Sequence, residues 1–104
     1  MIRIALFRAG GKILGFECKG HAGYAEAGND IVCAAVSILT TTCANALESV
    51  AGVMAEAEVR DGYMKVLLPE TEATEKTQII FRTIHQGLQD LSDAYPKYLR
   101  LNEK

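Results

Sequence analysis

The amino-acid sequence predicts an α+β domain, and three observations carry this prediction. Short segments that alternate apolar and polar residues occur at both ends of the chain. The dipeptide Asp61-Gly62 separates two further segments of this kind, and two longer segments repeat apolar residues every three or four positions. The 104 residues, 49% of them hydrophobic, suffice for a single domain spanning residues 1–104. We therefore expect an antiparallel sheet of two hairpins plus a C-terminal strand, packed against two long helices in the order ββαββαβ.

The first hairpin is predicted at residues 1–8 and 12–19, with a turn at Ala9-Gly10-Gly11. Gly15 interrupts the alternation of the second strand, so the sequence leaves its register loose.

The first helix is predicted at residues 29–51, because apolar residues recur there at helical spacing. Asn29 is the expected N-cap, Asp30 places an acidic group in the first turn, and Gly52 ends the helix. The expected buried stripe contains Val32, Val36, Leu39, Cys43, Ala46 or Leu47, and Val50.

The second hairpin is predicted at residues 53–60 and 63–68, where a two-residue turn places Arg60 opposite Tyr63. This register brings Glu58 opposite Lys65 on one face. The other face then pairs apolar residues: Val59 with Met64, Ala57 with Val66, and Ala55 with Leu68.

The second helix is predicted at residues 71–94, between Pro69 and Pro96, and residues 97–101 alternate like a short closing strand. The expected apolar stripe of this helix contains Thr77, Ile80, Ile84, Leu88, Leu91 and Tyr95.

Charge and composition exclude several classes of function. The net charge is −2 and the 11 Lys and Arg residues are scattered, so the chain lacks the basic patch of a nucleic-acid-binding protein. No run of eighteen apolar residues predicts a membrane span, and residues 1–8 lack the organisation of a signal peptide. We therefore expect a cytoplasmic protein whose three cysteines are reduced.

The segment from Gly20 to Ser37 is the strongest candidate for chemistry. His21 follows the second strand, Cys33 lies in the first turn of the helix, and a loop rich in glycine and alanine connects them. The positive end of the helix dipole and a nearby imidazole both favour the thiolate form of a cysteine. Ser37 lies one turn after Cys33 on the same side of the helix. These positions predict a nucleophile and a general base, joined by a loop with the glycines that opening and closing require.

Each of these residues also has a purely structural interpretation. Cys33 is compatible with a packed core position and His21 with an ordinary loop residue. Asp30 either complements the helix dipole or orients the imidazole as the third member of a triad, a part that Asn29 also fits. We expect structural roles for three further residues: Cys18, Cys43 and His85.

A zinc site would need Cys18-x-x-His21 together with Cys33 and either Cys43 or His85. The second half of this set lacks a short ligand spacing, so we expect no metal. The glycine-rich loop lacks lysine and the Walker spacing, so we expect no phosphate cradle and no cofactor.

The motifs of this segment resemble those of the ribosomal-processing cysteine protease family, called Prp. The resemblance rests on Gly20-His21-Ala22, on the string Gly-x-Asp-Ile-Val-Cys-Ala-Ala-Val-Ser at residues 28–37, and on Tyr95-Pro96-Lys97-Tyr98. It implies an α+β homodimer with a Cys33–His21 dyad, in which Gly20, Asp30 and Ser37 also match family positions. It further implies that the substrate is large-subunit ribosomal protein twenty-seven. The enzyme would remove its N-terminal extension by cutting after a hydrophobic segment that contains phenylalanine.

In the mechanism that we expect, the Cys33 thiolate attacks a peptide carbonyl and forms a thioester, while His21 transfers the proton. N–H groups at the start of the helix are expected to hold the oxyanion. Two alternatives belong to other classes. One is a noncatalytic ribosome-assembly factor that binds the same protein tail. The other is a redox sensor in which Cys33 forms a sulfenic acid and Cys18 resolves it.

Overall fold

The computed structural model describes residues 1–103, with only the backbone of Glu103. It confirms the α+β class and the order ββαββαβ. The elements are β1 (Ile2–Ala9), β2 (Lys12–Lys19), α1 (Ile31–Ser49), β3 (Glu56–Arg60), β4 (Tyr63–Leu67), a 3-10 turn (Glu70–Glu72), α2 (Glu75–Ala94) and β5 (Leu99–Glu103).

The five strands form one mixed sheet in the order β3-β4-β2-β1-β5. The pairs β1–β2 and β3–β4 are antiparallel, as predicted, and β2 also pairs antiparallel with β4. However, β5 pairs with β1 in parallel, beginning with Ile2 opposite Leu99, so the expectation of an entirely antiparallel sheet is corrected. The helical connection through α2 carries the chain across the sheet and makes this parallel pairing feasible.

The register of the second hairpin is confirmed, with Arg60 opposite Tyr63 and Glu58 opposite Lys65. The predicted pair of Ala55 and Leu68 lies outside this ladder, and the Leu68 N–H donates to the Leu14 carbonyl instead. All of β3 is exposed because it is an edge strand that no helix covers. Its apolar face is therefore not part of the core.

The approach of β4 to β2 depends on Gly15. A Cβ at this residue would lie 1.9 Å from the Val66 carbonyl oxygen, so only glycine fits there. The pairing of β1 with β2 also shifts at this point, because Phe7 faces Gly15 while the next residue, Arg8, faces Ile13. This irregularity is the reason that the alternation of β2 is imperfect.

Helix α1 begins at Ile31, and its N-cap is Asp30 rather than the predicted Asn29. Most of the predicted stripe is buried, but Leu39 is half-buried, and Val50, which is the C-cap, is 62% exposed. Gly52 then adopts a φ of +70°, which ends the helix as predicted. The buried residues of α1 are Val32, Val36, Thr40, Cys43 and Leu47.

By length and composition, α1 is also apolar enough to cross a membrane. Counting consecutive apolar residues misses this, because Ser37 and the threonines at 40–42 interrupt the run. In this fold α1 packs with α2 against the sheet, and its apolar side chains contribute to the core.

Helix α2 begins at Glu75 with Thr74 as its N-cap, later than predicted, because residues 70–72 form a separate 3-10 turn. Its buried residues are Thr77, Phe81 and Leu88. Both helices cover the face of the sheet that carries Ile4 and Leu6. The start of α1 is thereby fixed beside the end of β2, where the candidate residues lie.

Candidate active site

The segment that carries His21 is fixed by backbone contacts at the end of β2. Gly20 has a φ of +96°, and a Cβ there would lie 2.6 Å from the Met1 carbonyl oxygen. Its N–H donates to the Gly62 carbonyl at 2.8 Å. The Met1 ammonium donates to the His21 carbonyl at 2.7 Å. Gly20 therefore allows the backbone conformation that positions His21.

The start of α1 and the loop before it are tied together by Asp30. One carboxylate oxygen accepts hydrogen bonds from the N–H groups of Val32 and Cys33, each at 3.0 Å. The other accepts from the N–H groups of Tyr24 and Ala25 at 3.0 and 3.3 Å. These bonds, led by the one from Cys33, lower the pKa of Asp30 from its usual 3.8. Asp30 thus acts as the helix cap and as an anchor of the loop.

The loop of residues 22–29 has a second anchor in Tyr24. Its ring makes edge-on contacts with the rings of Tyr95 and Tyr98, at centroid distances of 5.7 and 5.2 Å. The glycine-rich loop is therefore attached at Tyr24 to the segment between α2 and β5.

Cys33 is the third residue of α1 and is half-buried. The N–H of Ala22 points at its sulfur, with a nitrogen–sulfur distance of 3.3 Å. The N–H groups of Val32 and Cys33 are occupied by Asp30, so the predicted oxyanion donors at the helix start are already engaged. The N–H that faces the sulfur belongs instead to the loop.

The imidazole of His21 lies over the turn between β3 and β4. A Cβ built at Gly62 would lie 2.8 Å from His21 Nε2, and the Asp61 carboxylate oxygen Oδ2 lies 3.7 Å from the same nitrogen. Within residues 1–103, no hydrogen bond joins this imidazole to the Cys33 thiol. Asp61 was not among the predicted site residues. No local pattern could have found it, because it lies far from His21 in the sequence.

Two grooves meet at the candidate residues. One, of about 260 Å³, lies between α1 and the β3–β4 hairpin and is lined in part by Cys18, Val36, Val59 and Met64. The other, of about 600 Å³, runs beneath the loop. The residues common to both grooves are His21, Cys33, Ser37 and Asp61. The structure thus brings Ser37 to the same place as Cys33, as the helical spacing predicted.

The three thiols occupy different environments. Cys18 and Cys43 are buried, as predicted, whereas Cys33 is partly accessible. Burial raises the pKa of Cys18 to about 11, with a further contribution from the charge of Cys33. Burial alone raises the pKa of Cys43 to about 12. Cys18 and Cys43 are therefore poor nucleophiles near neutral pH.

The described part of the chain contains no group of three or more His, Cys, Asp or Glu side chains placed to hold a metal ion. The second histidine, His85, is half-buried and lies in a separate groove with Arg8 and Arg82. That groove shares no lining residue with the two grooves at Cys33.

Comparison with known proteins places this chain in a family. The sequence pattern of the family described as cysteine protease Prp matches residues 1–100. The ribosomal processing cysteine protease Prp of Bacillus subtilis is 33% identical, over 97% of this chain and 96% of that protein. The chain belongs to the Prp cysteine protease family. This membership confirms the resemblance and assigns the protein to the cysteine proteases.

Solved structures of similar chains have the same fold. A Staphylococcus aureus Prp in complex with a covalently linked product peptide superposes with a TM-score of 0.92, at 27% identity and with all of both chains covered. SMU.848 from Streptococcus mutans superposes with a TM-score of 0.88, at 35% identity, covering 99% of this chain and 93% of that one. The Prp fold therefore extends over the described residues of this chain.

Proposed function

We propose that this Prp family member is an endopeptidase that removes the hydrophobic N-terminal extension of large-subunit ribosomal protein twenty-seven. Cys33 is the nucleophile and His21 the general base. The observation that carries the proposal is the junction of two grooves, which is lined by both residues. Cys33 is also the one cysteine among the described residues that is not buried. The covalently linked product peptide of the S. aureus Prp is consistent with a covalent mechanism in the family.

The reaction is an acyl transfer in two halves. His21 accepts the proton of the Cys33 thiol, and the thiolate attacks the scissile carbonyl, whose π electrons move to oxygen. When this intermediate collapses, the C–N bond breaks and the imidazolium returns the proton to the leaving amine. Water then attacks the thioester as His21 takes its proton, and Cys33 leaves with the electrons of the C–S bond. Because the two side chains are not hydrogen-bonded in the free protein, the proton transfer requires the imidazole to approach the sulfur with substrate bound.

The Ala22 N–H is the oxyanion donor that this geometry favours. It lies 3.3 Å from the Cys33 sulfur and is released from that contact when the sulfur becomes bonded to carbon. The developing oxyanion is attached to the same carbon, so it forms within reach of this N–H. The N–H groups of Val32 and Cys33 at the helix start donate to the Asp30 carboxylate. They can bind the oxyanion only if these two hydrogen bonds break.

The groove between α1 and the β3–β4 hairpin suits the hydrophobic part of the substrate. It presents apolar side chains from both walls, among them Val36 from α1 and Val59 and Met64 from the hairpin. Val59 is 70% exposed in the free protein, and a bound apolar side chain would cover it. Ser37 lines both grooves and is placed to donate a hydrogen bond to the substrate backbone.

The remaining parts of the proposal concern partners and location. The protein acts as a homodimer in the cytoplasm and recognises a protein substrate without binding nucleic acid directly. The net charge of −2 and the absence of a concentrated basic stretch in the sequence support the last point. Exposed Ile31 and Ile38 on α1 supply apolar surface for a second copy.

A cleavage assay tests the proposal. A peptide that spans the hydrophobic extension and the cleavage junction is incubated with the parent protein, with Cys33→Ala and with His21→Ala, and the products are identified by mass spectrometry. We expect one cut by the parent, a loss of about 1,000-fold or more for Cys33→Ala, and a loss of about 100-fold or more for His21→Ala.

Matched variants separate chemistry from folding. Cys43→Ala removes a buried thiol and His85→Ala removes the other histidine, and both should retain cleavage. Circular dichroism checks that each variant is folded. If the folded Cys33→Ala protein cuts at the parental rate, the nucleophile is assigned incorrectly. If neither the parent nor any variant cuts the peptide and all of them bind it equally, the protein is a binding factor rather than a protease.

A further inference from the structure

The turn between β3 and β4 contributes a carboxylate to the candidate active site. Asp61 is the first residue of this turn, and its Oδ2 lies 3.7 Å from His21 Nε2. It also lines both grooves that meet at Cys33. Among the described residues, it is the side-chain carboxylate that lies beside the imidazole.

The position of the turn is set by the sheet rather than by the loop. Tyr63, directly after the turn, pairs with Arg60 on β3 and with Lys19 on β2. The Gly20 N–H donates to the Gly62 carbonyl at 2.8 Å and joins the turn to the residue before His21. These pairings hold Asp61 beside the imidazole through backbone contacts.

Gly62 allows the imidazole to approach. It has a φ of +66°, and a Cβ there would meet the ring at 2.8 Å from Nε2 and 3.4 Å from two of its carbons. Any larger residue would push the ring away from the turn and therefore from Asp61.

We propose that Asp61 is a positioning residue for His21, an inference that rests on the dyad of the proposed function. A neutral imidazole carries its proton on one nitrogen and a lone pair on the other. When Asp61 accepts a hydrogen bond from Nε2–H, the lone pair lies on Nδ1, which is then the atom that takes the Cys33 proton. The imidazolium formed in that step keeps the carboxylate as its counter-charge.

The distance of 3.7 Å is longer than a hydrogen bond, so the bond forms when the imidazole turns toward the sulfur with substrate bound. The carboxylate has the freedom to follow, because the Asp61 side chain is 98% exposed. Asp30 is not available for this task, since its two oxygens accept four backbone N–H groups.

The other charged groups near His21 contact partners other than its imidazole ring. The Met1 ammonium donates to the His21 carbonyl rather than to the ring. The Arg60 guanidinium lies over the Tyr63 ring, with its Nε 3.4 Å from the Glu58 carboxylate. Asp61 is therefore the charge that faces the imidazole nitrogen.

The size of the effect follows from this geometry. Two unit charges 3.7 Å apart in a water-like dielectric change an equilibrium by about sevenfold, and salt weakens the attraction. We therefore expect Asp61→Ala to lower kcat about sevenfold at low ionic strength with little change in KM. The deficit should shrink in 0.5 M salt, at a Debye length of about 4 Å.

The test compares Asp61→Ala, Asp61→Glu and the control Glu56→Ala, which removes an exposed carboxylate from β3 of the same hairpin. Asp61→Glu restores the carboxylate and should recover most of kcat, while Glu56→Ala should match the parent. Nitrogen-15 NMR of the imidazole with the peptide bound, in a Cys33→Ala background that prevents turnover, gives a readout independent of catalysis. With Asp61 present the bound protein should favour the Nε2–H form, and Asp61→Ala should shift the ring toward a mixture of both forms.

The outcomes distinguish this inference from the proposed function. If His21→Ala is inactive while Asp61→Ala keeps the parental kcat and imidazole spectrum, the role of Asp61 is refuted and the dyad stands. If Asp61→Ala and Glu56→Ala lose kcat equally, the effect is one of overall charge and the inference is again refuted. If His21→Ala keeps full activity, the dyad itself fails.

Discussion

Alkylation at neutral pH should modify one cysteine of this protein and spare the other two. Brief treatment of the native protein with iodoacetamide at pH 7 is expected to label Cys33, because the reagent reacts with accessible thiolates. Cys18 and Cys43 are buried and are expected to remain unmodified.

The expected selectivity follows from the pKa values of the buried thiols. A thiol with the ordinary pKa of 9.0 is about 1% thiolate at pH 7. Burial first, and the charge of Cys33 second, raise the pKa of Cys18 to about 11, which leaves about 0.01% thiolate. Cys43, with a pKa raised to about 12 by burial, retains about 0.001%. Compared with an unperturbed thiol, Cys18 should therefore react at least about 100-fold more slowly and Cys43 at least about 1,000-fold more slowly.

The assay is a time course of labelling followed by digestion and mass spectrometry of the three cysteine peptides. Protein unfolded in urea serves as the control, since all three thiols are then exposed and should react at similar rates. Labelling of Cys18 or Cys43 in the native protein within tenfold of the rate of Cys33 would refute the reasoning from burial.

Two further predictions concern the scaffold of the site. Gly15→Ala should lower the free energy of unfolding by about 3 kcal/mol, because the new Cβ would lie 1.9 Å from the Val66 carbonyl oxygen and the strands would have to separate. Urea unfolding measures this, and a parental midpoint would contradict it. The lowered pKa of Asp30 means that its stabilising contribution is present above the usual pKa of 3.8 and is lost as the pH falls through the folded-state value. The stability difference between the parent and Asp30→Ala should therefore shrink below pH 3.8, and a difference that stays constant down to pH 2 would argue against this role.

Features that depend on residues close together in the chain could be predicted from the sequence of this protein. The spacing of apolar residues predicted both helices and the burial of Cys43. The Asp61-Gly62 turn predicted the register of the second hairpin. Cys33 was predicted near the helix start, where it lies. These predictions succeed because helical periodicity, turn geometry and capping depend on residues that are close neighbours along the chain.

One error at the end of an element also has a local cause. Asn29 and Asp30 are both good N-cap residues, so the sequence alone did not decide between them. The structure decides in favour of Asp30, because its second oxygen also accepts N–H groups of the loop. The sequence did not decide the exposure of Val59, since alternation indicates a strand face but not whether a helix covers that face.

The arrangement of the site was decided by tertiary structure. The parallel pairing of β5 with β1 depends on the path of α2 across the sheet, which no turn or periodicity encodes. The sheet order places β4 beside β2, and only then does Asp61 come within 3.7 Å of His21. The sequence thus determined which residues carry reactive groups and which elements hold them. The charges and grooves around those groups arise from contacts between segments that are distant in the sequence. The free energies of these contacts depend on the packing of the whole core.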